Sequence, residues 1–178
     1  MSRFIEDHLR CMQCSLKSVF WFAFVAVVGA CSAPATFEGM VPTSFEPARS
    51  HARTVRVNVT GGQETVAVGR PQITNSAFTQ ALTQSVTKSG TFSRVVEGQS
   101  ERSDYLLTVT LFSMDKLVFG RTVRMEAGWT IRRTDAGTVV WQESIISEHT
   151  DANIKLATEG AARKNIVQGL VKISKLNL

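Results

Sequence analysis

The sequence predicts an α+β domain, with a mainly antiparallel sheet of four to five strands and two helices packed on one face. Three observations lead to this prediction. Residues 54–59 alternate apolar and polar side chains, as a half-buried strand does. Between residues 74 and 90, apolar side chains recur at the period of an amphipathic helix. Strand-like segments with short connections follow, and a second apolar stripe at helical spacing covers residues 162–173.

The first strand and the first helix have clear ends. Gly61-Gly62 follows the alternating segment and predicts a turn. Thr74 is a good N-cap for the helix, and Gly90 is suited to the left-handed residue that ends it. The apolar stripe of this helix is predicted to comprise Phe78, Leu82 and Val86.

Strand patterns dominate the middle of the domain. A short strand is predicted at 92–96, and a longer one begins at Tyr105. The clearest alternation covers 121–132, and the turn 135–137 leads from it into a strand at 138–147. The last three strands are predicted to form an antiparallel meander. In the segment 138–147 the alternation of apolar and polar side chains blurs, which predicts a strand covered on both faces.

The final helix has an apolar and a basic side. Gly160 and Gly169 argue against one long uninterrupted helix. The basic side is a candidate contact face for anionic head groups or an acidic partner, although a solvated helix face is the favoured interpretation. The apolar stripe is Ala162, Ile166, Leu170 and Ile173, and the basic face is Arg163, Lys164, Lys172 and Lys175.

Residues 1–30 are predicted to be a signal peptide. From Val19 to Ala30, 12 residues carry no charge, and Lys17 flanks them on the N-terminal side. This run is shorter than the roughly 20 apolar residues that a membrane-spanning helix needs. A true start at Met12 would give a more compact signal.

Val28-Gly29-Ala30-Cys31 resembles the bacterial lipobox. The motif predicts cleavage between Ala30 and Cys31, and lipidation of Cys31 by diacylglyceryl and N-acyl groups such as palmitate. The competing interpretation is an ordinary signal peptide that leaves Cys31 as a free thiol. Ser32 stands where an aspartate would favour retention in the inner membrane, so the outer membrane is the predicted location of the lipid anchor.

The segment after Cys31 is predicted to be a flexible tether over residues 31–52. Pro34, Pro42 and Pro47 occur there among serine, threonine and glycine. Fully extended, such a tether reaches about 60 Å. Residues 53–178 then form the folded domain, placed in the periplasm.

Charge and composition exclude several functions. The first 30 residues hold three of the basic and two of the acidic side chains, so four of the five net positive charges remain after cleavage. This excess is too mild and dispersed for nucleic-acid binding. The predicted mature chain has no cysteine nucleophile and two histidines, His51 and His149. We therefore predict neither an enzyme nor a metal site or cofactor.

Trp129 and Trp141 face the same side of adjacent predicted strands. They are expected to belong to the core. The alternative is that they line a groove for an acyl chain or a partner peptide.

The stretches SDYLLTVTL and MEAGWTIRRTDAGTVVWQESI, with the alanine-rich start of the final helix, resemble the ABC-type transport auxiliary lipoprotein family. The resemblance covers about residues 73–175. It implies a non-catalytic accessory or adaptor, anchored in the membrane, that docks on an envelope transport or assembly complex. The alternative hypothesis is a periplasmic carrier of a small amphiphile, such as a phospholipid or glycolipid.

Overall fold

In the computed structural model of this chain, the structure describes residues 34–63, 70–98, 101–117 and 121–178. The predicted signal peptide, Ala30 and Cys31 lie outside these ranges. The elements in chain order are α1 (Phe37–Met40), β1 (His51–Thr60), α2 (Asn75–Ser89), β2 (Phe92–Val95), β3 (Tyr105–Lys116), β4 (Thr122–Arg133), β5 (Val139–Thr150) and α3 (Ile154–Ile173).

The five strands form one sheet in the order β2-β1-β3-β4-β5, and the predicted α+β class is confirmed. The sheet is mixed and not purely antiparallel, because β1 pairs in parallel with both neighbours: Val55 lies beside Val95 on one side and Tyr105 on the other. The chain passes through α2 between β1 and β2, and such a helical crossover returns the chain in the same direction. Strands β3, β4 and β5 form the predicted antiparallel meander.

The two long helices pack on one face of the sheet. Helix α2 contacts β1 and β2, and α3 contacts β4 and β5. The predicted ends of α2 are confirmed: the Thr74 hydroxyl accepts a hydrogen bond from the Ala77 backbone N–H, and Gly90 has a φ of 64°. The fully buried side chains between helices and sheet include Val55, Phe78, Leu82, Leu107, Met125, Trp129, Ile131, Ile166 and Leu170.

Helix α3 is continuous over 20 residues, and its two glycines do not interrupt it. Each glycine instead allows an aromatic ring to pack against the helix backbone. A Cβ on Gly160 would lie 1.9 Å from the His149 ring, and one on Gly169 would lie 2.6 Å from the Trp129 indole. The predicted final helix is therefore uninterrupted, and its two glycines are used for close packing.

Strand β5 lies at the edge of the sheet. Its blurred alternation arises from apolar side chains that face solvent: Val139, Val140 and Ile146 are 47%, 41% and 44% exposed. The expectation that both faces of this strand are covered was therefore wrong. Exposed apolar side chains and buried ones give the same run of letters in a sequence.

Much of the predicted tether is packed on the domain. We call residues 35–50 the docked segment. Met40 is fully buried, and Ala35 and Val41 are 7% and 9% exposed. The prediction of a flexible tether over 31–52 was wrong for this part, because single apolar residues among prolines and serines are enough to seat the segment. Strand β1 also begins earlier than predicted, at His51.

Polar contacts fix the direction of the docked segment along α3. The carboxylate of Glu159 accepts hydrogen bonds from the Thr36 backbone N–H at 2.9 Å and its hydroxyl at 3.0 Å. The Arg163 guanidinium donates to the Gly39 carbonyl. Further along, the Ala48 N–H donates to the Ser174 hydroxyl at 3.2 Å. The segment thus runs parallel to α3, from its N-terminal to its C-terminal end.

Candidate functional site: an arginine cleft at one end of the sheet

The two tryptophans do not share a groove. Trp129 is fully buried, and its indole N–H donates to the Asn165 side-chain oxygen at 2.9 Å. The Asn165 amide in turn donates to the Ile145 carbonyl at 2.9 Å, which joins α3 to β5. Trp141 is partly buried and packs against the core. Both residues therefore belong to the packing between helix and sheet, as the favoured interpretation predicted.

The predicted basic face is largely engaged inside the domain. Arg163 binds the Gly39 carbonyl, and the Lys164 ammonium donates to the Glu148 carbonyl at 3.0 Å. Lys172 pairs with the Glu143 carboxylate. Lys175 is exposed. These side chains point to different neighbours, so they do not form one free basic surface.

A cleft of about 700 Å³ opens where β1 and β3 begin and β4 ends. We call it the arginine cleft. It lies at the C-terminal end of α3, since residues 177 and 178 also line it. The side chains that define it are Arg53, Arg102, Ser103, Asp104, Tyr105, Arg133 and Asp135.

The local sequence places each of these side chains at a strand end. Asp104 directly precedes β3, and its carboxylate accepts hydrogen bonds from the Thr54 backbone N–H and hydroxyl of β1, both at 2.8 Å. The Thr134 N–H donates to the Asp104 carbonyl at 2.9 Å, which ties the β4–β5 turn to the same point. Gly137 closes that turn with a φ of 65°. The cleft is therefore built on hydrogen-bonded backbone rather than on a loose loop.

Both carboxylates of the cleft, those of Asp104 and Asp135, already accept hydrogen bonds from within the domain. The hydrogen bonds from Thr54 hold the pKa of Asp104 below its usual value, first from its backbone N–H and then from its hydroxyl, with a smaller contribution from the charge of Arg53. The pKa of Asp135 is also lowered, mainly by its hydrogen bonds from Arg133 and then by the Ala136 N–H. The same ion pair raises the pKa of Arg133.

Two of the three arginines keep their donors for other partners. The Arg133 guanidinium is held by Asp135 through two hydrogen bonds, at 3.2 and 2.7 Å. The guanidinium groups of Arg53 and Arg102 make no hydrogen bond or ion pair within the described part of the chain, and both residues are exposed. Beside them, Tyr105 is 7% exposed and forms part of the wall. Planar guanidinium groups in such a setting suit a carboxylate or phosphate group.

The sequence alone did not reveal this cleft. Its arginines lie 49 and 31 positions apart along the chain and share no motif. The sequence signals nearby are the predicted start of the third strand at Tyr105 and the turn at 135–137. The parallel pairing of β1 with β3 brings the residues together, and no short sequence pattern predicts that pairing.

The described residues contain no group of three or more histidine, cysteine, aspartate or glutamate side chains that could hold a metal ion. In the same part of the chain, no helix has both the length and the hydropathy needed to cross a membrane.

Comparison with known proteins establishes the fold. No family model matches the chain, and neither does any curated protein sequence. Protein XCC0632 from Xanthomonas campestris, assigned to the family model DUF330, is similar in structure with 12% identity over 80% of this chain and 91% of its own, at a TM-score of 0.51.

Two further solved structures are similar. The PelC dodecamer from Paraburkholderia phytofirmans matches 75% of this chain and 96% of its own, with 11% identity and a TM-score of 0.53. The hypothetical protein CT253 from Chlamydia trachomatis matches 68% and 95%, with 6% identity and a TM-score of 0.53. These likenesses show a shared fold, and membership of the ABC-type transport auxiliary lipoprotein family stays a prediction.

Proposed function

We propose that this chain is an envelope lipoprotein, anchored to the outer membrane through an acylated Cys31, that works as a non-catalytic adaptor of a transport or assembly complex. In this proposal the arginine cleft receives an acidic segment of the partner protein. Arg53 and Arg102 supply charge-assisted hydrogen bonds to its carboxylates.

The observation that carries the proposal is the arrangement of the domain between two ends. The lipobox Val28-Gly29-Ala30-Cys31 leads directly into the docked segment, which starts at the N-terminal end of α3. The arginine cleft lies at the opposite end of that helix. An anchor at one end and an open cleft with two exposed guanidinium groups at the other support the role of a membrane-bound adaptor.

The surroundings of the two histidines support a non-catalytic role. His51 is 4% exposed, and its ring nitrogen lies 3.0 Å from the Ile173 carbonyl. The His149 ring packs over Gly160, and its Nε2 lies 3.5 Å from Asp151. Both side chains hold α3 in place, and neither lines the arginine cleft.

A carrier of amphiphiles has less support. Such a protein needs an apolar cavity that encloses an acyl chain. In this domain the indole of Trp129 fills the space between β4 and α3, and Gly169 brings the helix backbone against it. The arginine cleft has a largely polar wall, which favours a charged partner over a lipid chain.

The test places a photocrosslinking amino acid at Thr134, on the rim of the cleft, in cells that make the full chain. The matched control carries it at Gln168, which is exposed on α3. We expect a crosslink to one envelope protein from position 134 and none from 168. Changing Arg53 and Arg102 to glutamate should weaken that crosslink about tenfold, equivalent to roughly 1.4 kcal/mol.

Labelling with radioactive palmitate tests the anchor in the same cells. We expect label in the wild-type chain and none in Cys31→Ala. An unlabelled wild-type chain would overturn the anchor, and a crosslink that survives the double charge reversal would overturn the role of the cleft.

A further inference from the structure

We infer that the domain sits directly on the membrane surface, with the N-terminal end of α3 facing the lipid head groups. Three basic side chains around that end, Arg70, Arg121 and Lys155, would contact anionic phospholipids, and Leu156 would enter the head-group layer. We call this surface the anchor end. The inference rests on the proposed acylation of Cys31.

The first step is the direction of the docked segment. Thr36 is fixed to Glu159, near the start of α3, while Ala48 reaches Ser174 at its other end. Ala35 is also fixed, because its N–H donates to the Gln72 carbonyl at 3.3 Å. The chain that follows Cys31 therefore first contacts the domain at the N-terminal end of α3.

The second step is the distance to the lipid anchor. Four peptide units separate Cys31 from the docked Ala35. At no more than 3.3–3.6 Å per residue, they span about 14 Å at full extension. The head-group layer on each side of a bilayer is roughly 5–8 Å thick. A leash of this length keeps the N-terminal end of α3 close to the head groups, so this end of the domain faces the membrane.

The third step is the chemistry of the surface that the leash brings to the membrane. Leu156 is 42% exposed, and Arg121 is held beside the start of α3 by a hydrogen bond to the Ala152 carbonyl. Arg70 is exposed, close to the Gln72 carbonyl that binds Ala35. Each basic residue near an anionic surface strengthens membrane binding about fivefold.

Two acidic side chains at this end make contacts within the domain. Asp151 lies 3.5 Å from the His149 ring. Glu159 has a 5% exposed side chain and faces Thr36, with the Lys155 ammonium 3.8 Å away. Glu38 and Asp115 are also exposed near this end, and Arg70, Arg121 and Lys116 outnumber them, so the charge presented outward is weakly positive and complements phosphatidylglycerol or another anionic lipid.

The test uses the full acylated protein in vesicles of phosphatidylethanolamine with 30% phosphatidylglycerol. No cysteine follows Cys31, so Leu156→Cys and Ala136→Cys can each be labelled with an environment-sensitive fluorophore. Ala136 is exposed in the β4–β5 turn, beside the arginine cleft. We expect lipids with a quencher in the head-group region to quench the label at 156 at least about threefold more than at 136.

A second variant carries 20 glycine and serine residues inserted between Pro34 and Ala35, which leaves every contact of the docked segment intact. We expect this longer leash, combined with Arg70→Glu, Arg121→Glu and Lys155→Glu, to reduce quenching at 156 to the level at 136. Equal quenching at both labels in the parent protein, or no effect of the combined variant, would overturn the inference. Mass spectrometry of Cys31 distinguishes failure of this inference from failure of the proposed function. If the protein is acylated but both labels are quenched equally, the proposed anchor stands and the proposed orientation is wrong.

Discussion

At the anchor end, Glu159 and Arg163 face inward and hold the docked segment, whereas at the arginine cleft Arg53 and Arg102 remain exposed without an ion-pair partner among the described residues. The same kinds of side chain therefore serve different purposes at the two ends of α3. A buried carboxylate that accepts two hydrogen bonds stabilises the fold. An exposed guanidinium with unused donors contributes little to stability and is available for binding.

The comparison shows that the two ends of α3 differ in role: the contacts at one end stabilise the fold, and the exposed groups at the other are available for binding. One end fixes the chain that leads to the predicted lipid anchor, and the opposite end presents the exposed guanidinium groups of Arg53 and Arg102. Between the two ends, Asn165 near the middle of α3 accepts a hydrogen bond from Trp129 of β4 and so joins the helix to the sheet.

The largest effect on stability should come from removing the contact between Trp129 and Asn165. We expect Trp129→Ala to lower the free energy of unfolding by about 3–5 kcal/mol, because it leaves a large cavity and removes the partner of Asn165. Urea denaturation of the mature chain measures this change. Trp141→Ala is the matched control, and its effect should be less than half as large, since Trp141 is only partly buried. Equal losses of unfolding free energy in the two variants would contradict the role of Trp129 in joining α3 to the sheet.

A smaller effect is expected at the anchor end. Glu159→Ala should cost about 1–3 kcal/mol, because it leaves the Thr36 donors without their acceptor. It should also speed tryptic cleavage after Arg49 several-fold, since the docked segment loses its hold on α3. Glu148→Ala, which removes an exposed partner of Arg124, is the control and should stay within about 0.5 kcal/mol. Unchanged cleavage in Glu159→Ala would contradict the role of the carboxylate in docking.

The smallest effect is expected at the arginine cleft. The pKa of Asp104 is lower in the folded state, so its ionised form stabilises the fold above the ordinary aspartate pKa. That contribution is lost as the pH falls through the lowered value. Asp104→Asn should therefore cost less than about 1 kcal/mol at pH 7, since solvent screens this exposed group, and less still near pH 2. Unfolding curves at both pH values test this, and a pH-independent difference would contradict the carboxylate's contribution.

The sequence predicted local structure well where one pattern dominates. Thr74 and Gly90 mark the ends of α2, because capping and left-handed geometry depend on single residue types. The meander of β3, β4 and β5 also followed from alternation and short turns. The stripe from Ala162 to Ile173 is buried as its spacing predicts.

Other features depended on contacts between distant parts of the chain. The docked segment was predicted as a tether, since its composition does not show that Met40 has a buried site to occupy or that Glu159 can bind Thr36. Gly160 and Gly169 weakened the prediction of one long helix, because the rings of His149 and Trp129 that pack against them lie on other elements.

By itself, the sequence determined the two long helices, the five strands and the caps of α2, since these depend on neighbours a few residues away. It also predicts the lipid anchor at Cys31, because the lipobox is a contiguous motif. Only the tertiary structure decided that β1 pairs in parallel with β3, and that pairing places Arg53 beside Asp104. It also decided how close residues 35–50 lie to α3. Both outcomes depend on packing between segments some 50 to 120 positions apart, which no local pattern encodes.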